Sequence, residues 1–254
     1  MNPPSPYDLP PLTMAAIFLD MDGTLAPIAR RPVDVRVAND MLMLLDLLHT
    51  RTEGAIAILT GRPAWQIDDL LAPRLYALAA EHGAGVRMAD GKTLTTAARH
   101  LDVALLERTV RHALQSIDDI YIERKDHGIA VHYRQAPRQG GLIAEQTTRI
   151  AANTEGVEVL NGKMVIELKA VGVNKGLALN TLMAHPPFAG RTPVVFGDDT
   201  TDEAAFAQAN AEAGMSVRIG GGPIGGMPSC AQFSLANQQA LAPFLQAWLS
   251  TNTK

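Results

Sequence analysis

Cys230 is the single cysteine among 254 residues. A lone thiol closes no internal disulfide and builds no CxxC metal site, which excludes a disulfide scaffold and leads us to expect a reducing, cytoplasmic setting. Basic charge is scarce as well. Lys and Arg total 22 against 26 Asp and Glu, a formal charge of −4, so the chain lacks the electrostatic footprint of a nucleic-acid binder. No apolar run approaches the roughly 20 residues that cross a bilayer. The stretch AAIFLDM has only the length of a strand, and no membrane association or obligate protein partner is evident. The opening segment has five prolines in residues 1–11 and no basic residue, so it does not read as a signal peptide. There is no GxxxxGK[ST] phosphate loop, and the seven histidines form no HxxxH or HExxH pattern that would point to zinc.

What is present reads as an α/β protein. A hydrophobic fraction of 47% with 19% charged residues is that of a folded chain of one or two domains. Short continuous apolar runs, the mark of strands buried on both faces, occur at Ala15–Leu19, Ala55–Leu59, Leu75–Ala80, Pro193–Phe196 and Met215–Ile219. Helical patterns fall between them: Asn39–Arg51 gathers Met41, Leu44, Leu45 and Leu48 on one face, another runs from Pro63 to Leu71, and a third spans Thr201 to Ala209. This alternation predicts a Rossmann-like parallel sheet with helices on both faces. The middle of the chain differs. Hairpin signals appear at Asp90-Gly91, near Asp126–Gly128 and at Asn161-Gly162, with helices expected over Leu101–Ile117 and Leu142–Ala152. The prediction is an inserted α+β domain over 97–171, an antiparallel sheet with two helices, within a core formed by 1–96 and 172–254.

Chemistry concentrates at the ends of the predicted parallel strands. Asp20-Met21-Asp22-Gly23-Thr24 follows the first strand, and residues two apart in an extended segment point to the same side. Asp20 and Asp22 then share the crevice where open α/β sheets bind ligands. Two neighbouring carboxylates call for a cation, and hard oxygens favour Mg²⁺. A second acidic block, Gly197-Asp198-Asp199-Thr200-Thr201-Asp202-Glu203, follows another strand; alone, an acidic first helical turn accounts for it equally well. Thr60-Gly61-Arg62 ends the second strand, where a hydroxyl and an amide can grip phosphate, although a threonine helix cap is the commoner use. Lys175 opens a helix; alone it reads as a surface lysine, and with the carboxylates it supplies their counter-charge.

Together, DxDGT, the strand-end Thr, the Lys and GDDxxDE resemble the haloacid dehalogenase superfamily of phosphatases. The segments LTGRP, AAEHGA, IERKDHGIAVHYR, VLNGKMVIELK, NKG and GDDTTDE look like the bacterial trehalose-6-phosphate phosphatase family within it. That resemblance implies a Mg²⁺-dependent hydrolysis of trehalose 6-phosphate through an aspartyl-phosphate. Asp20 is then the nucleophile and Asp22 the acid and base. Metal is held by Asp20, the main-chain carbonyl of Asp22, and Asp198, with Asp199 and Asp202 orienting groups around it. Thr60, the Gly61 amide and Lys175 steady phosphoryl charge. The inserted domain becomes a cap that selects the sugar through Glu123, Asn161, Lys163, Glu167 and Lys169, with Arg62, His82, His132 and Arg134 lining the cleft. Another sugar phosphate with the same core chemistry, and a non-catalytic phosphate sensor, are the competing readings. Gly220–Gly225 fits GxGxxG, but Pro223 breaks the expected helix and no acidic residue follows Glu212, so a dinucleotide site is rejected in favour of a loop at the strand-end face.

Overall fold

A computed structural model describes residues 3–29, 31–94, 96, 100–162, 164–221 and 228–251. The chain divides into two compact units, Met1–Thr96 with Asn174–Lys254, and Ala97–Val173.

The first unit is built on an eight-stranded sheet. Its strands are β1 (Ala15–Asp20), β2 (Ile56–Leu59), β3 (Ala77–Ala80), β4 (Gly85–Arg87), β5 (Thr93–Leu94), and, after the insertion, β10 (Thr192–Gly197), β11 (Met215–Ile219) and β12 (Phe233–Leu235). The spatial order is β12-β11-β10-β1-β2-β3-β4-β5. Pairing is parallel from β12 to β3, while β4 and β5 join antiparallel, so the Asp90-Gly91 hairpin extends the sheet at its edge. Alternation along β1 explains the three layers. Ile17 and Leu19 pack toward α1 (Asn39–Arg51), α2 (Ala64–Leu71) and α7 (Leu241–Thr251). Ala16 and Phe18 pack toward α5 (Lys175–Met183) and α6 (Glu203–Ala211). Phe18, Phe196, Phe206 and Trp248 are fully buried, each a contribution of about 1.5–3 kcal/mol by area. The chain moves outward one way through β1, β2 and β3 and returns the other way through β10, β11 and β12. The switch point therefore lies between β1 and β10, where such sheets open a crevice.

The second unit carries an antiparallel sheet of β6 (Tyr121–Arg124), β7 (Gly128–His132), β8 (Val157–Gly162) and β9 (Val165–Ala170), in the order β6-β7-β9-β8. Helices α3 (Val103–Ala113) and α4 (Gly140–Ala152) cover one sheet face around Leu106, Val110, Val131, Ile143, Ile166 and Leu168. Asp102 caps α3 by accepting from the Leu105 amide at 2.9 Å. The turn at the tip differs from its sequence signal. Asn161 and Gly162 are strand residues paired with Ile166 and Val165, and the positive φ falls on Met164, at 64°. Register on the core side of the sheet outweighs the local preference of Asn-Gly for a turn.

No helix among the described residues is long and apolar enough to cross a membrane.

Candidate active site

Asp20 is the last residue of β1 and is 6% exposed. Its Oδ1 accepts from Lys175 Nζ at 2.6 Å. The same ammonium donates to Asp202 Oδ1 at 2.6 Å, so one buried cation bridges two carboxylates that lie 182 residues apart in sequence numbering. Lys175 reaches this place because it is the first residue of α5, capped by Asn174, whose side chain accepts from the Leu177 amide. Gly176 lets α5 approach α6 closely: a Cβ there would stand 2.4 Å from the Ala204 carbonyl oxygen. The NKG triplet is thus a cap, a charge and a close contact.

Past the strand, the chain turns at Gly23 with φ +91°, and its amide donates to the Ala26 carbonyl at 2.7 Å. A side chain at Gly23 would meet Asp198 Oδ2 at 2.1 Å, so the glycine is required for the aspartate from β10 to come alongside. Asp198 follows β10 directly. Its amide and that of Asp199 both donate to Asp202 Oδ2, at 3.0 and 3.1 Å, while Asp199 Oδ1 accepts from the Thr200 amide at 2.7 Å. Asp199 and Asp202 form a capping box at the start of this helical segment.

Asp20, Asp198 and Asp202 each offer an oxygen within 4.8 Å of the others. Burial raises the Asp20 carboxyl well above its ordinary value, with the charges of Asp202 and Asp198 adding to it and Lys175 opposing. Asp198 is pushed up to about 7, first by burial and then by Asp202 and Asp199. Burial alone would lower the Lys175 ammonium, but Asp20 and Asp202 hold it firmly charged, above its ordinary value. Three carboxylates against one lysine leave an excess of negative charge in a buried place, which suits a hard divalent cation. The available oxygens are unequal. Both oxygens of Asp202 already accept hydrogen bonds, whereas Asp198 Oδ1 is buried with no partner among the described residues. Asp20 and Asp198 are therefore the side chains best placed to hold a cation.

Asp22 has a partner of its own. Arg62 Nε donates to Asp22 Oδ2 at 2.6 Å and Arg62 Nη2 donates to Asp22 Oδ1 at 2.7 Å. Thr60 and Gly61 lie at the end of β2. The Thr60 side chain is buried and its Oγ1 accepts from the Arg62 amide at 3.1 Å. The loop after β3 clamps this turn: the Glu81 amide donates to the Arg62 carbonyl at 3.1 Å and the His82 amide to the Thr60 carbonyl at 2.8 Å. Glu81 and His82 both hold positive φ, at 48° and 59°, a conformation that is costly outside glycine. The His82 ring lies against Gly61, where a Cβ would stand 2.5 Å from Nε2. A cavity of about 280 Å³ lies against Gly23 and Asp198 and is lined also by Ile219, Gly220, Asn237 and Gln238.

A family model of trehalose-phosphatases matches residues 18–239. The chain belongs to the trehalose-phosphatase family. It is 40% identical over 211 residues to the trehalose-6-phosphate phosphatase of Escherichia coli K12, covering 82% of this chain and 78% of that protein. Against a probable trehalose-phosphate phosphatase of Sinorhizobium fredii it is 39% identical over 207 residues, covering 81% and 77%. The solved C-terminal domain of a Candida albicans trehalose-6-phosphate phosphatase shares the fold, with a TM-score of 0.79 at 23% identity over 94% of this chain and 92% of that one.

In this family member the residues named from the sequence in the second unit divide by sheet face. Glu123 on β6, His132 on β7, and Glu167 and Lys169 on β9 share the face turned away from the helices' apolar core. Glu123 Oε2 lies 2.8 Å from His132 Nε2, and Tyr121 stacks on that imidazole with centroids 5.6 Å apart. Lys169 Nζ donates to Glu158 and, at 2.6 Å, to the Val173 carbonyl. Asn161 is exposed and pairs with Ile166, on the opposite face from Glu167. Arg134 lies in a turn past the end of β7 and not on the strand with His132. Lys163 and most of the glycine-rich loop, residues 222–227, lie outside the described residues. Lys125 was missed by the sequence reading. Its Nζ donates to Glu167 at 2.7 Å, and its position two residues after Glu123 was the available signal.

Proposed function

We propose that this chain hydrolyses trehalose 6-phosphate to trehalose and phosphate through an aspartyl-phosphate on Asp20, with Mg²⁺ as cofactor. The observation that carries this reading is the buried Asp20–Lys175–Asp202 bridge beside an Asp198 oxygen that has no partner among the described residues, at the switch point of the parallel sheet.

The carboxylate of Asp20 attacks phosphorus while the bond from phosphorus to the sugar's O6 breaks. Asp22 delivers a proton to that departing oxygen. In the second half, Asp22 takes a proton from the water that attacks phosphorus, the acyl phosphate bond breaks, and Asp20 is regenerated with release of phosphate. Lys175, bonded to Asp20, holds the nucleophile in one rotamer and offers positive charge to the phosphoryl oxygens. Thr60 and the Gly61 amide, fixed by the loop after β3, serve the same oxygens. Asp20, Asp198 and the main-chain carbonyl of Asp22 would hold Mg²⁺, which when bound neutralises charge on the nucleophile and the phosphoryl group. Asp202 acts through its neighbours, holding the Asp198 backbone and Lys175; Asp199 caps the helical segment that presents both.

Choice of substrate falls to the unit spanning 97–171 in the sequence reading, acting as a cap. Glu123, His132, Glu167 and Lys169 provide charged donors and acceptors on one sheet face, the chemistry that recognises sugar hydroxyls. Arg134, Asn161 and Lys163 are kept as contacts on the strength of the family resemblance, and His82 as a residue of the phosphate side. A reducing cytoplasm accords with the single cysteine.

The test is phosphate release from trehalose 6-phosphate and from glucose 6-phosphate, each with Mg²⁺ or with a chelator. Mg²⁺-dependent release from the disaccharide alone supports the whole reading. Release from glucose 6-phosphate alone keeps the aspartate chemistry and overturns the substrate. No release from either by the folded protein favours the phosphate sensor.

A further inference from the structure

Arg62 was expected to line the substrate cleft. The structure spends it differently. Nε and Nη2 fork onto the two oxygens of Asp22, while Nη1 donates to the Pro32 carbonyl at 3.1 Å and to Gln66 Oε1 at 2.9 Å. Four of the five guanidinium N–H groups are thereby engaged within the chain, which leaves little for a ligand. The Arg62 side chain is 10% exposed and that of Asp22 is 35% exposed, so the arginine is the buried member and the aspartate the one open to solvent. The main chain of Arg62 is fixed too, its amide by Thr60 Oγ1 and its carbonyl by the Glu81 amide.

We propose that Arg62 is the positioning residue for the proton-transferring carboxylate: it holds the Asp22 side chain in one rotamer and one plane, and Gln66 and the Pro32 carbonyl hold Arg62. The inference rests on the reading of Asp22 given above. Asp22 follows the strand in a turn and its side chain has freedom to rotate. A bidentate fork removes both torsions at once, which a single-point contact cannot do. Each carboxylate oxygen still has a further lone pair, so the exposed edge of Asp22 remains able to meet the leaving oxygen. The same clamp ties the turn after β1 to the turn after β2, so the nucleophile's strand and the phosphate-gripping turn share one anchor. Lysine at position 62 keeps the charge and loses the fork.

The experiment compares kcat/KM for trehalose 6-phosphate with that for 4-nitrophenyl phosphate. That constant covers the steps up to the aspartyl-phosphate, so it senses proton delivery to the leaving group and not the later attack of water. A sugar alkoxide needs that proton, whereas 4-nitrophenolate leaves without it. Arg62→Ala is expected to lower the ratio of the two constants about 100-fold, the scale of a misplaced general acid. Arg62→Lys lowers it nearly as far. Gln66→Leu, which loosens only the far side of the guanidinium, lowers it about tenfold, the worth of one hydrogen bond to a charged group. Added guanidinium ion restores part of the ratio in Arg62→Ala, and ammonium does not. Thermal melts of all variants are run alongside, since Gln66→Leu keeps its side-chain volume and remains informative even if Arg62→Ala is unstable. An Arg62 or Gln66 variant that loses both substrates equally, or neither, overturns the inference while leaving Asp22 as the acid. Asp22→Asn with undiminished trehalose 6-phosphate hydrolysis overturns the reading of Asp22 itself, and the inference with it.

Discussion

At the carboxyl ends of β1 and β10, three aspartates share one lysine in a buried cluster, while on the polar face of the inserted sheet the described carboxylates each have a partner: Glu123 is hydrogen-bonded to His132, and Glu167 and Glu158 are ion-paired with Lys125 and Lys169. The first arrangement is unbalanced and rigid. Asp20 and Asp198 are displaced upward because burial and like charge both oppose their ionisation. The second is paired group by group, and it presents donors and acceptors of both kinds on one sheet face. A reaction that moves a phosphoryl group needs the former, because charge must be waiting where it develops. Recognition of a neutral disaccharide needs the latter.

The sharpest break of this contrast is Asp20→Asn. It removes the proposed nucleophile and leaves Lys175 bonded to Asp202, so phosphate release should fall on the order of 10⁴-fold with the fold intact, the loss typical of deleting a group that forms a covalent intermediate. Activity near the wild type in a protein of unchanged circular dichroism would remove Asp20 from the chemistry. Lys175→Met attacks the other side of the same bridge. Lys175 is 1% exposed, and its loss leaves Asp20 and Asp202 facing each other without a cation. The expected cost is about 3–5 kcal/mol in chemical unfolding without metal, much of it recovered when Asp202→Asn is added. A comparable deletion on the inserted sheet, Lys125→Met, should cost less than half of that.

Much of this arrangement is legible in the amino-acid sequence, and the exceptions share a cause. The buried parallel strands are visible because both faces are apolar, and Asp20, Asp22 and Asp198 are visible because they stand directly after such strands. Lys175 carries no periodic signal and emerges only with the family's pattern. The Arg62–Asp22 pair spans 40 residues, and nothing local to either announces the other. Asn161-Gly162 misleads for a related reason: its turn preference is a local property, whereas the pairing of Gly162 with Val165 is decided by the sheet. Strand β12 and helix α7 went unread. The former is a short edge strand, and the latter, LAPFLQAWLST, has no charged residue to mark its outer face.

A pH series sharpens the electrostatic half of the comparison. Asp198 is raised from 3.8 to about 7, and Asp20 is raised as well. Between its unfolded and folded values Asp198 binds more protons in the folded state, so its contribution to metal-free stability is fully present below about pH 4 and is lost as pH rises through about 7, and Asp20 acts in the same direction. A divalent cation binds the ionised form and reverses that loss. The melting temperature should therefore rise more on adding Mg²⁺ at pH 8 than at pH 5, and Asp198→Asn should flatten the difference. Equal shifts at the two pH values would mean that Mg²⁺ does not engage these carboxylates.

The smallest effect is expected on the inserted sheet, and it tests whether balanced charge there serves recognition. Glu167→Gln keeps the shape of the side chain, weakens its hold on Lys125, and leaves the core cluster untouched. If Glu167 accepts from a sugar hydroxyl, the ratio of kcat/KM between trehalose 6-phosphate and 4-nitrophenyl phosphate should fall about tenfold, the value of one charge-assisted hydrogen bond. The loss should appear in KM more than in kcat, because a contact remote from phosphorus binds substrate and transition state alike. This separates the sheet from Arg62, whose removal lowers the same ratio through the chemical step. A fall confined to kcat for Glu167→Gln would place that residue with the proton-transfer machinery and erase the division of labour between the two units.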